Sequence, residues 1–170
     1  MHRDRAQPTA RHDTSATAGP AVEDHGRVVT ANMEAAAFYR HAQQATDASD
    51  TVTALRHAVT ADPTFGLAIA DLDAFTETSS RTTSGRQMNW ERHHIEVVRT
   101  AAAGNLGRAA DLLREHLASV GCDPIALRIV TELQQHAGLR DGLDDLTGRL
   151  PACHAVYTMV RPVDLPPDFA

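Results

Sequence analysis

Apolar residues recur every three or four positions along most of this chain, which is the spacing of helices with one buried face. Seven segments show this pattern, and they lie at residues 30–46, 50–60, 64–78, 89–103, 106–120, 124–136 and 139–150. Helices joined by such short connections pack side by side as antiparallel hairpins. The pattern therefore predicts an all-α fold of about seven helices.

Short polar, Gly- or Pro-containing segments separate the predicted helices. Asp62-Pro63 and Asp123-Pro124 each stand between two amphipathic stretches, with the proline suited to a first helical turn. Ser84 followed by Gln87 has the form of a capping box, so the fourth helix is expected to begin there and not at Asn89. Residues 153–160 fit either a strand or a last helical turn.

The two ends of the chain differ from its centre. Residues 1–27 are rich in Thr, Ala, Pro, Asp and Arg without periodicity, which predicts disorder. Residues 161–170 hold three prolines and cannot continue a helix. The predicted organisation is a disordered N-terminal segment, a helical-hairpin domain at 28–160 and a Pro-rich tail.

Composition narrows the function classes. Hydrophobic residues make up 42% and aromatic residues 4%, so the core is expected to be built from Ala, Leu, Val and Ile, which favours helices. The net charge of −6, without a basic cluster, argues against nucleic-acid binding.

The chain has no apolar run of the roughly 20 residues that cross a bilayer and no secretory signal, so we expect a cytoplasmic protein. Cys122 and Cys153 are expected to be free thiols in that reducing compartment.

Two stretches echo each other, beginning at Thr53 and Arg108. Each consists of an amphipathic helix, an Asp-Pro turn and a second amphipathic helix. Around the second stretch, Gly104-Asn105 with Ala109 and Leu113 resembles the inter-helix turn and second helix of a tetratricopeptide repeat, in a degenerate form.

The segments TADPTFGLAIADL, WERHHIEVVRTAAAGNLGRAADLLREHL and DPIALRIV together resemble the tetratricopeptide repeat protein 38-like family, over residues 51–150. The resemblance implies stacked hairpins that form a short α-solenoid. Glu91 and His94 fall where that family has Glu and His, and it implies no catalytic role. The loop at 79–87 is shorter than is usual there, and the chain looks like a short or truncated bacterial member.

The helix that holds Trp90 carries the candidate chemistry. Trp90 and His94 share one helical stripe, and the first interpretation makes Trp90 a core filler with His94 packed beneath it. A carbonyl or a carboxylate such as Glu91 would then bond the His94 ring. The alternative is a pocket in which His94 or His93 is a general acid or base and Glu91 orients it.

Other candidate sites are weaker. His93 and His94 are adjacent, about 100° apart on a helix, so they cannot converge on one ion, and we predict no metal and no cofactor. Asp71 and Asp73 are expected on a solvated face, and a reactive Cys153-His154 dyad is disfavoured because adjacent residues rarely face each other. The remaining histidines considered are expected at the surface: His41, His57, His116, His136 and His154.

The sequence therefore predicts a non-catalytic protein–protein interaction module. The candidate binding residues on the fourth helix are Trp90, Arg92, Glu96 and Arg99, and Glu96 is expected to pair with one of the arginines. The partner is another protein or a second copy, and apolar C-terminal residues expected to be exposed could drive a homodimer: Leu143, Leu146, Leu150, Val156 and Met159. The alternative function is a small all-α enzyme, such as a cyclase, isomerase or hydrolase of specialised metabolism, that uses His94, His93 and Glu91.

Overall fold

A computed structural model describes residues 21–24, 27–78, 87–138, 146 and 148–149. The fold is all-α, as the periodicity predicts. Six helices lie in the described part: α1 (Met33–Gln44), α2 (Ala48–Ala61), α3 (Gly66–Phe75), α4 (Asn89–Ala102), α5 (Leu106–Val120) and α6 (Pro124–His136). A short antiparallel hairpin, β1 (Ala21–Asp24) and β2 (Arg27–Thr30), precedes them, with Ala21 paired to Thr30 and Asp24 to Arg27.

Side-chain caps fix where three of the helices begin. Asn32, Asp47 and Asp123 each accept a hydrogen bond from a backbone N–H in the first turn of α1, α2 and α6. Such caps satisfy donors that have no partner inside the helix. Pro124 occupies the first turn of α6, where its missing N–H costs nothing.

Each helix packs against the next one in the chain, and α6 also contacts α1, α3 and α4. Arg128 of α6 is buried and reaches the first hairpin, where it donates to Thr51 Oγ1 at 2.6 Å and to the carbonyl of Ala45. In a one-dimensional solenoid each unit contacts only its neighbours. The contact between α1 and α6 joins helices that are not neighbours in the chain and so goes beyond this nearest-neighbour pattern. The solenoid arrangement therefore stays a prediction.

The core is ring-poor, in agreement with the composition. Tyr39 and Phe65 are its two largest fully buried side chains and meet edge-on, with ring centroids 5.1 Å apart. Most of the other buried residues are Ala, Leu, Ile and Val. Alanines such as Ala54, Ala58 and Ala109 are fully buried and leave room for close helix approach.

Several boundaries differ from those predicted. Strand β1 lies inside the segment 1–27 that was expected to be disordered, because its backbone pairs with β2. Helix α4 begins at Asn89 and not at Ser84, since Gln87 and Met88 are not helical. Pro63 lies in a turn, and α3 begins only at Gly66, because the Asp62 carboxylate bonds the backbone of Thr64 and thereby closes that turn.

The C-terminal predictions are tested only in part. Of the predicted seventh helix at 139–150, the structure describes residues 146 and 148–149, and the segments 153–160 and 161–170 lie outside the described residues. Leu146 is buried in the core, so the prediction that it is exposed is wrong. Cys122 is disulfide-bonded, so the expectation of a free thiol there is wrong too, and the only other cysteine of the chain is Cys153.

Candidate functional site

Four ionisable side chains from different parts of the fold meet in the core and form what we call the Asp–His cluster: Asp71, His94, His116 and Asp123. The ring of His94 lies between two carboxylates. Its Nε2 is 2.7 Å from Asp71 Oδ1, and its Nδ1 is 2.7 Å from Asp123 Oδ2. His116 Nε2 lies 2.9 Å from the same Asp123 oxygen. All four residues are buried, so water does not screen these contacts.

Neighbouring groups hold the two carboxylates in place. Tyr39 donates its hydroxyl to Asp71 Oδ2 at 2.8 Å, and the backbone N–H of Ala126 donates to Asp123 Oδ1 at 3.1 Å. Asp123 therefore has two roles, because one oxygen caps α6 and the other binds two imidazoles. The ring of His93, which is half-buried, lies edge-on to His116 with centroids 5.3 Å apart.

Burial and charge oppose each other in the cluster. Burial alone would lower the pKa of His94, but the attraction of Asp123 and of Asp71 outweighs it and raises that pKa to about 10. Burial would raise the pKa of Asp123, yet its two imidazole partners hold that pKa well below the usual range. Burial raises the pKa of Asp71 and lowers the pKa of His116. His94 is thus an imidazolium at neutral pH.

Local sequence explains why these polar residues are buried. Asp71 belongs to α3, in which every residue from Gly66 to Asp71 is buried, so its side chain points into the core like those of its apolar neighbours. His94 lies on the buried stripe of α4 with Val97 and Val98. His116 lies on the buried face of α5 beside Leu113.

Glu91 does not belong to the Asp–His cluster and binds Thr30 and Met88 instead. Its carboxylate accepts from the backbone N–H of Thr30 at 2.7 Å, from the Thr30 hydroxyl at 3.0 Å and from the N–H of Met88 at 2.6 Å. It therefore joins the end of β2 to the start of α4, and Asp71 and Asp123 orient His94 instead. His94 is buried and bonded to carboxylates, as in the first interpretation, but the suggested partner Glu91 is wrong.

The other predicted site residues of α4 lie at the edge of the core or at the surface. Trp90 is half-buried and donates its indole N–H to the carbonyl of Val28 at 3.0 Å, with the Arg27 guanidinium 4.6 Å from its ring centroid. Trp90 therefore packs against the edge of the core and also joins α4 to the hairpin, so the expectation that it fills the core is met only in part. The three charged candidates are exposed: Arg92, Glu96 and Arg99.

Of the four cluster residues, only His94 was a predicted site residue, and Asp123 was expected only as part of a turn before a helix. Asp71 and His116 were expected at the surface, and both are buried. The signal for Asp71 was its place in an almost wholly apolar helix, since such a helix is buried on all sides. The signal for His116 was its spacing of three and four from Leu113 and Leu112. Of the other histidines, His57 and His136 are exposed as expected, His41 is half-buried, and His154 lies outside the described residues.

No protein-family model, curated protein or solved structure matches this chain. Within the described residues, none of the helices has both the length and the apolar character needed to cross a membrane.

Proposed function

We propose that this chain is a non-catalytic protein–protein interaction module built of helical hairpins of the tetratricopeptide-repeat kind. The main support for the proposal is the environment of His94, which was the first candidate for a general acid or base. Both of its ring nitrogens are bonded to carboxylates, and its side chain is buried. A group in that position contributes to how the helices pack and presents no free nitrogen to a substrate.

The alternative of an acid–base enzyme has less support. A general base must reach the proton that it abstracts, within hydrogen-bond distance or through one water. His94 has both nitrogens engaged, and Glu91, the proposed orienting group, binds Thr30 and Met88. His93 alone of the three is half-buried, and its described ring contact is with His116.

The surface that we assign to a partner is the outer face of α4, formed by Arg92, Glu96 and Arg99. The opposite side of this helix is fixed in the core through His94, so the three charged side chains stand on a rigid support. Charges of both signs on one face suit a partner with a complementary pattern, either another protein or a second copy of the chain.

The disulfide at Cys122 argues against the cytoplasmic location predicted from the sequence. Disulfides persist in oxidising compartments and are rare in the cytoplasm. The disulfide at Cys122 therefore favours an oxidising environment. Counting the thiols in protein isolated from its native cell without reductant distinguishes the two locations.

The interaction is tested with a charge-reversed variant, Arg92→Glu, Glu96→Arg and Arg99→Glu. The matched control is Arg56→Glu, Arg108→Glu and Glu115→Arg, which changes three other exposed residues by the same net charge. Each is compared with the unchanged chain by native-cell co-purification and by sedimentation at tens of micromolar. We expect the α4 variant to lose a complex or a dimer that the control keeps. A monomer that co-purifies with no partner contradicts the proposal, as does equal behaviour of both variants.

A further inference from the structure

Three potential metal ligands converge inside the Asp–His cluster, each from a different helix or cap. They are His94 Nδ1 of α4, His116 Nε2 of α5 and Asp123 Oδ2 at the start of α6, and the ligand atoms lie within 4.8 Å of one another. We propose that these three groups bind one divalent ion of the zinc class, which ties α4, α5 and α6 together. This inference does not depend on the proposed interaction with a partner.

The distances between the ligand atoms suit a small ion after a modest adjustment. Zinc binds nitrogen and oxygen at about 2.0–2.2 Å, so tetrahedral ligands stand roughly 3.3 Å apart. Asp123 Oδ2 now lies 2.7 Å from His94 Nδ1 and 2.9 Å from His116 Nε2. Both contacts of Asp123 would lengthen by roughly half an ångström. The two histidine nitrogens, which lie within 4.8 Å of each other, would have to stand about 3.3 Å apart.

The surroundings of the ligands are those of a built metal site. A histidine ligand usually gives its second ring nitrogen to a carboxylate, which fixes the ring and raises its basicity. Asp71 holds His94 Nε2 in this way, and Tyr39 in turn holds Asp71. The second oxygen of Asp123 is fixed by the N–H of Ala126. Two of the three ligand side chains, those of His94 and Asp123, are therefore held in place before an ion arrives, whereas the buried Nδ1 of His116 has no hydrogen-bond partner.

Charge and donor type agree with this assignment. Asp71 and Asp123 bring two negative charges into the core. A divalent ion would balance them by displacing the Nδ1 proton of the His94 imidazolium, which leaves two neutral imidazoles as ligands. Two nitrogens and one oxygen favour zinc, or cobalt as its substitute, over magnesium and calcium, which prefer oxygen ligands alone. The adjacent pair His93 and His94, considered from the sequence, is a different set. The site uses His94 with residues 22 and 29 positions further along the chain.

The test uses the full chain stripped of metal by a chelator. Zn²⁺ is titrated calorimetrically and Co²⁺ by its visible d–d absorption, with Mg²⁺ as the control ion. Asp123→Asn removes the ligand charge but keeps a residue that caps α6 well, so this variant is expected to fold. His116→Gln removes a second ligand, and His136→Gln, an exposed histidine, is the matched control.

We expect the unchanged chain and His136→Gln to bind one Zn²⁺, to give intense tetrahedral Co²⁺ bands and to ignore Mg²⁺. Asp123→Asn and His116→Gln should lose at least tenfold in Zn²⁺ affinity, together with the Co²⁺ bands. The proposal is overturned if the unchanged chain binds neither Zn²⁺ nor Co²⁺, or if both ligand variants bind as tightly as His136→Gln. If a variant does not fold, the absence of tetrahedral Co²⁺ bands in the unchanged chain still overturns the proposal, and the remaining folded ligand variant tests which residues bind the ion.

Discussion

At His94, a positively charged ring lies between two carboxylates that water does not reach. Such an arrangement adds little net stability when intact, since the desolvation of three charges offsets most of their attraction. Removing one member is different, because it leaves the others buried and uncompensated. The cluster is therefore a strong determinant of how α3, α4 and the start of α6 fit together.

This asymmetry gives the first prediction. In metal-free protein at neutral pH, His94→Ala should lower the free energy of unfolding by about 3–5 kcal/mol, because Asp71 and Asp123 then face each other without a cation. Urea unfolding measures it. His93→Ala, which removes a half-buried neighbouring ring, should cost less than about 1 kcal/mol. A cost for His94→Ala that is no greater than that of His93→Ala would show that the cluster does not determine the packing.

The Asp–His cluster also shows that burial of a residue can be predicted from the sequence more readily than its contacts. The burial of His94 followed from its helical spacing relative to Trp90 and Val97. Its partners could not be predicted, because Asp71 and Asp123 are 23 and 29 positions away and meet it only when α3 and α6 pack against α4. A carboxylate is assigned to the surface by default. The apolar helix around Asp71 indicates its burial, but it does not indicate which side chains Asp71 contacts.

Among the elements, the junction between the hairpin and α4 depends on one side chain. Glu91 accepts three hydrogen bonds, two from Thr30 and one from Met88. It is itself buried, so these donors replace the water that the carboxylate loses. The hairpin and the helix are thereby joined at a distance of 61 positions along the chain.

Replacement of this side chain gives the second prediction. Glu91→Ala should cost about 1–3 kcal/mol of unfolding free energy, because the N–H groups of Thr30 and Met88 lose their acceptor. Hydrogen exchange should report faster exchange at the Thr30 amide. Glu96→Ala, an exposed glutamate on the same helix, should stay within about 0.5 kcal/mol of the unchanged chain. Unaltered exchange at Thr30 in Glu91→Ala would rule out this account of the junction.

Helix bounds were predictable wherever a local signal existed. The Asp123-Pro124 pair placed the start of α6, because both the cap and the proline act within one turn. The similar pair Asp62-Pro63 gave a wrong helix start. The Asp62 carboxylate accepts from the backbone N–H groups of Asn32 and Thr64 and does not cap the first turn of a helix. The hairpin of β1 and β2 was missed because its short strands lack the alternation that identifies longer ones.

For the whole molecule, Arg128 connects the last described helix to the first two. Its guanidinium is buried between α6, Thr51 of α2 and the carbonyl of Ala45 at the end of α1. The planar group satisfies separate acceptors at once, which the ammonium of a lysine does not do in the same geometry. This connection makes the arrangement of six helices depend on contacts between distant parts of the chain.

The third prediction concerns that connection. Arg128→Ala should destabilise the chain by about 2–4 kcal/mol, through lost charged hydrogen bonds and lost packing of the side-chain stem. Urea unfolding measures the loss. Arg114→Ala is the control, since Arg114 pairs with Asp111 on the surface and such pairs contribute about 0–1 kcal/mol. Equal costs for the two variants would show that α6 is held without Arg128.

The disulfide at Cys122 gives the last prediction, because a covalent link restricts the unfolded chain as a whole. Reduction should lower the free energy of unfolding by about 2–4 kcal/mol, and Cys122→Ser should be equally destabilised and insensitive to reductant. Thiol counting in denaturant provides the independent measurement, with no free thiol in the unchanged chain and one in Cys122→Ser. Two free thiols in unreduced protein would contradict the bond and would agree with the reducing compartment expected from the sequence. Since Cys122 directly precedes Asp123, the bond also restrains the residue on which α6, both imidazoles and the proposed ion depend.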